Sequence, residues 1–482
     1  MKKIIIILTA VAILLVAAFF VVRYLAIGFL TPDYLVQRIE KQWDCRAEVA
    51  GLKVKVLGGS RLELTGVKLA ARDDFADKGI ALSERPPLEN AEVIVDSAKL
   101  EVDLNALLKR SISIRQLLIE DVTVNTKIRK DGRSSVQDLF ESVSMEEKDV
   151  SASESEVKVV EVKAEPVQTA GVSDGVVVQI KPQQAGVGGF SAKDMGVSAF
   201  AEVVEMKNGQ INAIIESGNS LVVLSQLNLK LSQIEVDPSD LINHNHATFL
   251  FSGNLAVEDR QTKVKQINVS ISGDGDVRPF DPASGKIDPS WVSNLTIKKG
   301  SAINTFPLVD KLKELLSGVD TAGVDLSDLQ VGGELTADAS TRIAGHAGKF
   351  ELKKHLALPL LDTDFIFSSG SWLNSGSNQH YLKGSVMASD QLTGKLTEKV
   401  DAYLKKKTKN FYSESLKDLV LQPAMKEDRI AFDFVSKGDL GKPKVDIITP
   451  FGNLTELIDQ GKRTIENLKD VGKSLLKGLF GK

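Results

Sequence analysis

The sequence predicts a mainly β protein: a single N-terminal transmembrane helix, then an elongated, curved antiparallel β-sheet groove with few helices, and an amphipathic helix at the C-terminus. Three observations predict it. Residues 4–22 carry no charge, apolar and polar residues alternate with a period of two along most of the chain that follows, and helical periodicity is confined to a few segments.

The apolar run comes first. Fourteen of its nineteen residues are Ile, Leu, Val or Phe, among them Ile4, Ile7, Leu14, Leu15, Phe19, Phe20 and Val22. At helical rise it covers about 28 Å, close to the hydrocarbon thickness of a bilayer. At about −0.3 to −0.6 kcal/mol per residue its insertion is favoured by roughly −4 to −8 kcal/mol. A cleaved signal peptide is the rival reading, but its apolar stretch is normally about 7 to 15 residues and a small-x-small site follows it. Here Val21, Val22 and Arg23 follow. Lys2 and Lys3 place the short N-terminus in the cytoplasm, although Arg23, Arg38 and Lys41 beyond the span blur that count. A bacterial inner-membrane anchor with a periplasmic body is the localisation expected.

After Thr31 and Pro32, the spacing of Leu35, Ile39 and Trp43 predicts a short amphipathic helix over 33–43. The period then changes to two. Leu52, Val54 and Val56 alternate with lysines; Leu62 and Leu64, then Val67 and Leu69, follow with a break and a plausible bulge at Gly66. The same alternation places Leu100, Val102 and Leu104, Ile112 and Ile114, Leu117 and Ile119, Val122 and Val124 on one face. It fades over 141–171, which is rich in Glu, Ser and Lys and reads as a solvated linker. Strands resume near 176–180 and 197–206, then at Leu227, Leu229 and Leu231, at Leu255 and Val257, and at Ile267, Val269 and Ile271. Further sets are Leu295 with Ile297, Leu335 with Ala337 and Ala339, Phe432 with Phe434, and Val445 with Ile447. Roughly fifteen to eighteen strands are expected. Helices are expected at 308–316, at 392–421 and at 454–480, the last a cap on a sheet end or a membrane-surface helix. The organisation is therefore an anchor (1–30), an N-terminal β region (31–140), a flexible acidic linker or loop (141–175), a β-rich groove region (176–450) with a helical insert near 391–422, and a C-terminal amphipathic helix (451–482).

An antiparallel sheet wet on one side must shelter its other face. If a dozen such side chains stayed bare, the forfeited burial would be roughly 20 to 35 kcal/mol, more than an ordinary domain's stability. A second sheet, a covering helix or a bound apolar ligand would each serve. Helical segments are too few to cover more than part of it. The candidate lining of a lipid groove is Leu62, Leu64, Leu100, Val102, Leu104, Ile112, Ile114, Leu117, Ile119, Val122, Val124, Leu227, Leu229, Leu231, Ile267, Val269 and Ile271.

Composition and motifs exclude much else. With Lys plus Arg 60 against Asp plus Glu 64, the net charge of −4 leaves no basic face for nucleic acid. The single cysteine, Cys45, excludes an internal disulfide. No phosphate loop and no G-x-S-x-G elbow occur. His244 and His246 could share a strand face and a metal, but a third ligand is missing and a polar turn pair is the better reading. Asp274-Gly275-Asp276 reads as a turn, without the rest of a calcium loop. His346, His355 and His380 stand alone, and no carboxylate pair is singled out. No catalytic residue, cofactor or metal is expected, and the chain is read as no enzyme.

The N-terminal order is a span, then GLKVKVLGGSRLELTGVKLAARD, then AKLEVDLNALLKRSISIRQLLIEDVTVNTKIRKDGRSSVQDLF. This resembles the AsmA-like family of inner-membrane-anchored proteins, related to bridge-like lipid transfer proteins. The likeness rests on Ala98 to Leu104 leading into Leu107-Leu108, the alternating pairs from Ile112 to Val124, Asp131-Gly132, and Gln137 to Leu139. The tail IAFDFVSKGDLGKPKV with its LLKGLFGK ending is also similar, so the likeness covers about 1–140 and 429–482. Departures are Asp121 where a proline is frequent, Lys109 and Arg110 in place of a glycine, and Val136 in place of an asparagine. The resemblance implies a periplasmic β groove whose partners are phospholipid acyl chains and the inner membrane. Its implied role is phospholipid transport or assembly of the outer membrane and upkeep of the cell envelope. An anchored, non-catalytic β-sandwich scaffold that docks other envelope proteins is the alternative.

Overall fold

The computed structural model describes residues 31–55, 60–72, 80, 82–103, 106, 111–130, 133–140, 191–216, 219–304, 333–374, 377–408, 414–439 and 442–448. The expected anchor with Ile4, Ile7, Leu14, Leu15, Phe19, Phe20 and Val22 lies outside these residues. So do Leu104, the 141–175 linker, the strand at 176–180, and the helices at 308–316 and 454–480. Among the described residues no helix is long and apolar enough to cross a membrane.

The chain is mainly β. Helix α1 (Pro32–Gln42) starts at Thr31, whose hydroxyl accepts the Tyr34 N–H at 3.2 Å, with Pro32 in the first turn where its missing N–H costs nothing. Its C-terminal carbonyls are met by the Arg72 guanidinium, which donates to Glu40, Trp43 and Cys45. The first sheet strands are β1 (Cys45–Lys55), β2 (Ser60–Ala71), β3 (Val93–Val102) and β4 (Ser111–Ile128). Short helices α2 (Ser135–Asp138) and α3 (Ala192–Met195) precede β5 (Ser198–Ile215), β6 (Ser220–Val236), β7 (Asn245–Asp259), β8 (Lys265–Phe280) and β9 (Ile287–Ile297). Then come β10 (Ala302–Ile303), β11 (Gly333–Glu334), β12 (Ala339–His346), β13 (Lys349–Leu352), β14 (Leu356–Pro359), β15 (Thr363–Phe367), β16 (Trp372–Asn374) and β17 (Gln379–Ala388). Helices α4 (Asp390–Thr408) and α5 (Glu414–Leu421) separate these from β18 (Met425–Lys426), β19 (Arg429–Asp439) and β20 (Lys442–Ile448).

All twenty described strands belong to one sheet. Several short strands are halves of one interrupted strand: β9 and β10 both pair β8, β13 and β14 pair β16 and β15 in one register, and β15 and β16 both pair β17. The described sheet is thus a single succession of about fifteen rungs from β1 to β20, about 70 Å long at the usual strand spacing. The expectation of a wholly antiparallel sheet needs one correction. β4 and β5 are parallel from Ser111↔Ser198 to Ile128↔Ile215. Parallel neighbours require a long crossover, and residues 129–197 between them supply its length.

Gly66 has φ 60°, as the break in alternation suggested, yet it is no private bulge of β2. Asp121 (φ 54°), Asn208 (φ 53°) and Gln226 (φ 50°) sit where the neighbouring strands β4, β5 and β6 meet the same transverse line. On either side of it register is kept: Leu64 faces Leu52 and Ala98, and Val67 faces Val49 and Val95. Every strand from β1 to β6 therefore steps out of alternation at one line and resumes with its apolar side chains on the same face. Amides mark that line. Asn208 Nδ2 donates to Asp121 Oδ1 at 2.6 Å and Asn254 Nδ2 to Gln226 Oε1 at 2.7 Å. Asn, Asp and Gln supply the left-handed conformation with side-chain hydrogen bonds where glycine would supply it by lacking a Cβ.

Helical cover is local. The expected helix 392–421 is two, α4 and α5, with 409–413 outside the described residues. Leu392, Leu396, Val400 and Leu404 recur every four residues along α4 and are buried against Phe365, Val386, Ile430, Phe432 and Phe434. At the other end α1 sets Val36 against Cys45, Ala47, Leu69 and Leu139, with Trp43 edge-on to Phe140 at 5.3 Å. Asp274-Gly275-Asp276 is no turn: it lies inside β8, where Gly275 pairs with Phe249 and Ser293. Leu335 makes an isolated bridge to Leu360, so β12 starts only at Ala339.

Candidate functional site: a continuous apolar face

Register converts the strand alternation into rows that cross the sheet. One row runs Val54, Leu62, Leu100, Leu117, Val204, Leu231, Phe249, each residue paired with the next. Its neighbour runs Leu52, Leu64, Ala98, Ile119, Met206, Leu229, Phe251. Across the transverse line Val49, Val67, Val95 and Val122 form a third. Seven rungs thus share one apolar surface roughly 30 Å long. Of the residues expected to line a groove, Leu62, Leu100, Val102, Ile112, Ile114, Leu117, Ile119, Val122, Val124, Leu227, Leu229 and Leu231 form one buried cluster with Leu64 packed against it. Val269 is buried and Ile267 and Ile271 half-buried, on the same side of β8.

Val102 is 3% exposed and Ile119 2%; among the described residues the cover on this cluster is Val136 of the four-residue α2, with Phe140 packed beside it, and no second sheet. Bulges bend strands, and a line of them in register bends the whole sheet.

The opposite face is charged. Lys99 Nζ lies 2.7 Å from Glu120 Oε2, and with Ser97 it holds the Glu120 carboxyl below its usual range by hydrogen bonding. Arg61 meets Glu101 at 3.6 Å and Lys207 meets Glu205 at 3.6 Å. These pairs are half-buried to exposed and contribute little stability. Their role is to keep this face in water while the other is not.

From β7 onward the apolar surface changes character. The ring of Phe249 lies over Gly275, that of Phe251 over Gly273, and that of Trp291 over Gly345, where an added Cβ would meet the ring at 2.8, 2.6 and 2.2 Å. Phe249, Trp291 and Phe350 follow one another edge-on at 6.4 and 5.8 Å. This tract, with Val204 and Met206, was not among the expected lining residues. Its signal was present in Phe249-Leu250-Phe251 and in the two-residue spacing of Gly273 and Gly275: bulky rings in one strand need glycines in the next.

Reactive chemistry is sparse among the described residues. No group of three His, Cys, Asp or Glu side chains could hold a metal. His244 lies in the turn before β7, with Nδ1 2.7 Å from Glu235 Oε1, so it shares no strand face with His246. His346 meets Asp288 at 3.1 Å. His380 is buried, its Nε2 2.7 Å from Ser436 Oγ, and burial pushes its pKa down. Cys45 is fully buried; desolvation, with the Glu40 carboxylate adding to it, pushes the thiol up to about 12. What the arrangement offers is an extended apolar surface with a wet reverse side. No known protein family, curated protein or solved structure matches the chain.

Proposed function

We infer that the protein binds lipid along the apolar face and serves lipid movement or envelope assembly at the inner membrane, as the resemblance to AsmA-like proteins implies. In this reading residues 4–22 anchor the chain, its bulk is periplasmic, and phospholipid acyl chains lie against the rows through Leu117 and Ile119 while headgroups stay wet. The protein acts as a carrier and catalyses no reaction. The observation that carries the reading is the continuity of the apolar rows over seven rungs, over which the described residues set only Val136 of α2 and Phe140. Affinity then comes from area, at about 25 cal/mol per Å² removed from water, and tolerates many chain types.

Two neighbouring substitutions test it. Val102→Asp places a carboxylate on the apolar side, whereas Glu101→Gln changes the charged side. Native mass spectrometry of gently solubilised protein should find phospholipid on the unmodified chain and on Glu101→Gln, and at least tenfold less on Val102→Asp. Equal retention by both variants, or no lipid on the unmodified chain, would overturn the reading and leave an anchored scaffold that docks envelope proteins.

A further inference from the structure

The hairpins from β5 to β9 turn alternately at the two rims of the sheet, and the two sets of turns differ in charge. At the rim where β1 begins, the β7–β8 turn carries Arg260, Lys263 and Lys265 around Val264, all exposed, with Val264 50% exposed. The end of β4 adds Arg129, Lys130 and Arg133. Several carboxylates on this rim are already engaged. Asp138 holds Arg129 at 2.6 Å and Arg133 at 3.5 Å, and Asp259 accepts the N–H groups of Gln261 and Thr262. Lys263 lies 3.9 Å from Glu258, and Glu216 and Glu334 are exposed.

The opposite rim is acidic. Its β6–β7 turn carries Asp237 and Asp240, and its β8–β9 turn carries Asp281 with Asp288 just beyond; α3, joined to that turn at Ser191 and Lys286, adds Asp194, and the cations set against these are Lys286 and Lys193. Hydrogen bonds from Ser239, Asn243 and Ser284 hold the first three of these carboxyls below their usual range. Ile242, 76% exposed, sits in that acidic setting.

The cationic rim is also the one tied to the N-terminal apolar run. α1 packs at the start of β1, and only nine residues separate Val22 from the start of α1 at Pro32, a reach of about 30 Å at most. A sheet held there can stand away from the membrane on its β1 end or lie along it on this rim. Cationic turns that carry an exposed aliphatic side chain suit an anionic lipid surface, and the acidic rim is repelled by one. We propose that the rim at which β1 begins rests on an anionic phospholipid surface, docking through the 259–265 turn with the exposed Val264 on its returning side, so that the sheet runs beside the membrane. This rests on the reading that residues 4–22 span the bilayer.

The test uses the full chain in vesicles of phosphatidylethanolamine and phosphatidylglycerol. An environment-sensitive fluorophore is attached at Val264→Cys, at Thr262→Cys in the same turn, and at Ile242→Cys on the opposite rim; the buried Cys45 stays unlabelled. Spin-labelled lipid should quench the probes at 262 and 264 at least threefold more than the probe at 242. That difference should vanish in phosphatidylcholine or after Arg260→Glu with Lys263→Glu and Lys265→Glu. Equal exposure of all three probes on protein that floats with the vesicles would overturn the docking and leave the anchor standing. Protein that does not float would overturn both.

Discussion

At the scale of single residues, two groups whose pKa is shifted by burial make separate predictions. The thiol of Cys45 is buried beside the Glu40 carboxylate and pushed up to about 12, so almost none of it is thiolate near neutrality. Alkylation by iodoacetamide at pH 8 should be more than about a hundredfold slower than for a free thiol and should become fast only in denaturant. A rapid native reaction would mean that α1 leaves β1 readily. His380 is held neutral by burial, with Gly438 and Asp439 opposing only in part. Folding therefore lowers its affinity for a proton, and the unfolded chain takes up protons first as pH falls. The contribution is present in full above the imidazole's ordinary value of about 6.5 and is lost as pH falls through it towards the lower folded value. Denaturant titrations at pH 7.5 and 5.5 should show a smaller loss of stability in His380→Gln than in the unmodified chain.

At the scale of elements, the helix and the glycine-backed aromatics make separate tests of packing. Leu396 lies mid-helix in α4, 1% exposed, against the phenylalanines of β15 and β19. Leu396→Ala should cost about 2–5 kcal/mol by urea denaturation, because the helix seals the end of the sheet and the void cannot fill. Gly345→Ala acts differently, since the new methyl would stand 2.2 Å from the Trp291 ring. It should cost about 1–3 kcal/mol and shift Trp291 emission, whereas an unchanged spectrum would mean the ring does not lie over β12. The strands themselves were legible because a period of two survives in residues such as Ile112 to Val124. The aromatic tract was not, because Gly273 and Gly275 look like turn formers until the strand beside them, with Phe249 and Phe251, is known. Asp274 and Asp276 were misread for the same reason: polar residues flanking a glycine describe a turn equally well as the wet face of a strand.

At the scale of the whole molecule, the amino-acid order determined that this is a mainly β chain with one oily and one charged side to nearly every strand, because side-chain alternation is a local property of extended backbone. It also marked the break at Gly66. Only the tertiary structure decided that Asp121, Asn208 and Gln226 continue that break as one line, that β4 and β5 run parallel, and that α4 covers one end while the rows from β1 to β7 stay on a shared face. Those features depend on which strands become neighbours and in what register. Register is set by partners distant along the chain, and a slip of one residue would turn the same oily side chains to water.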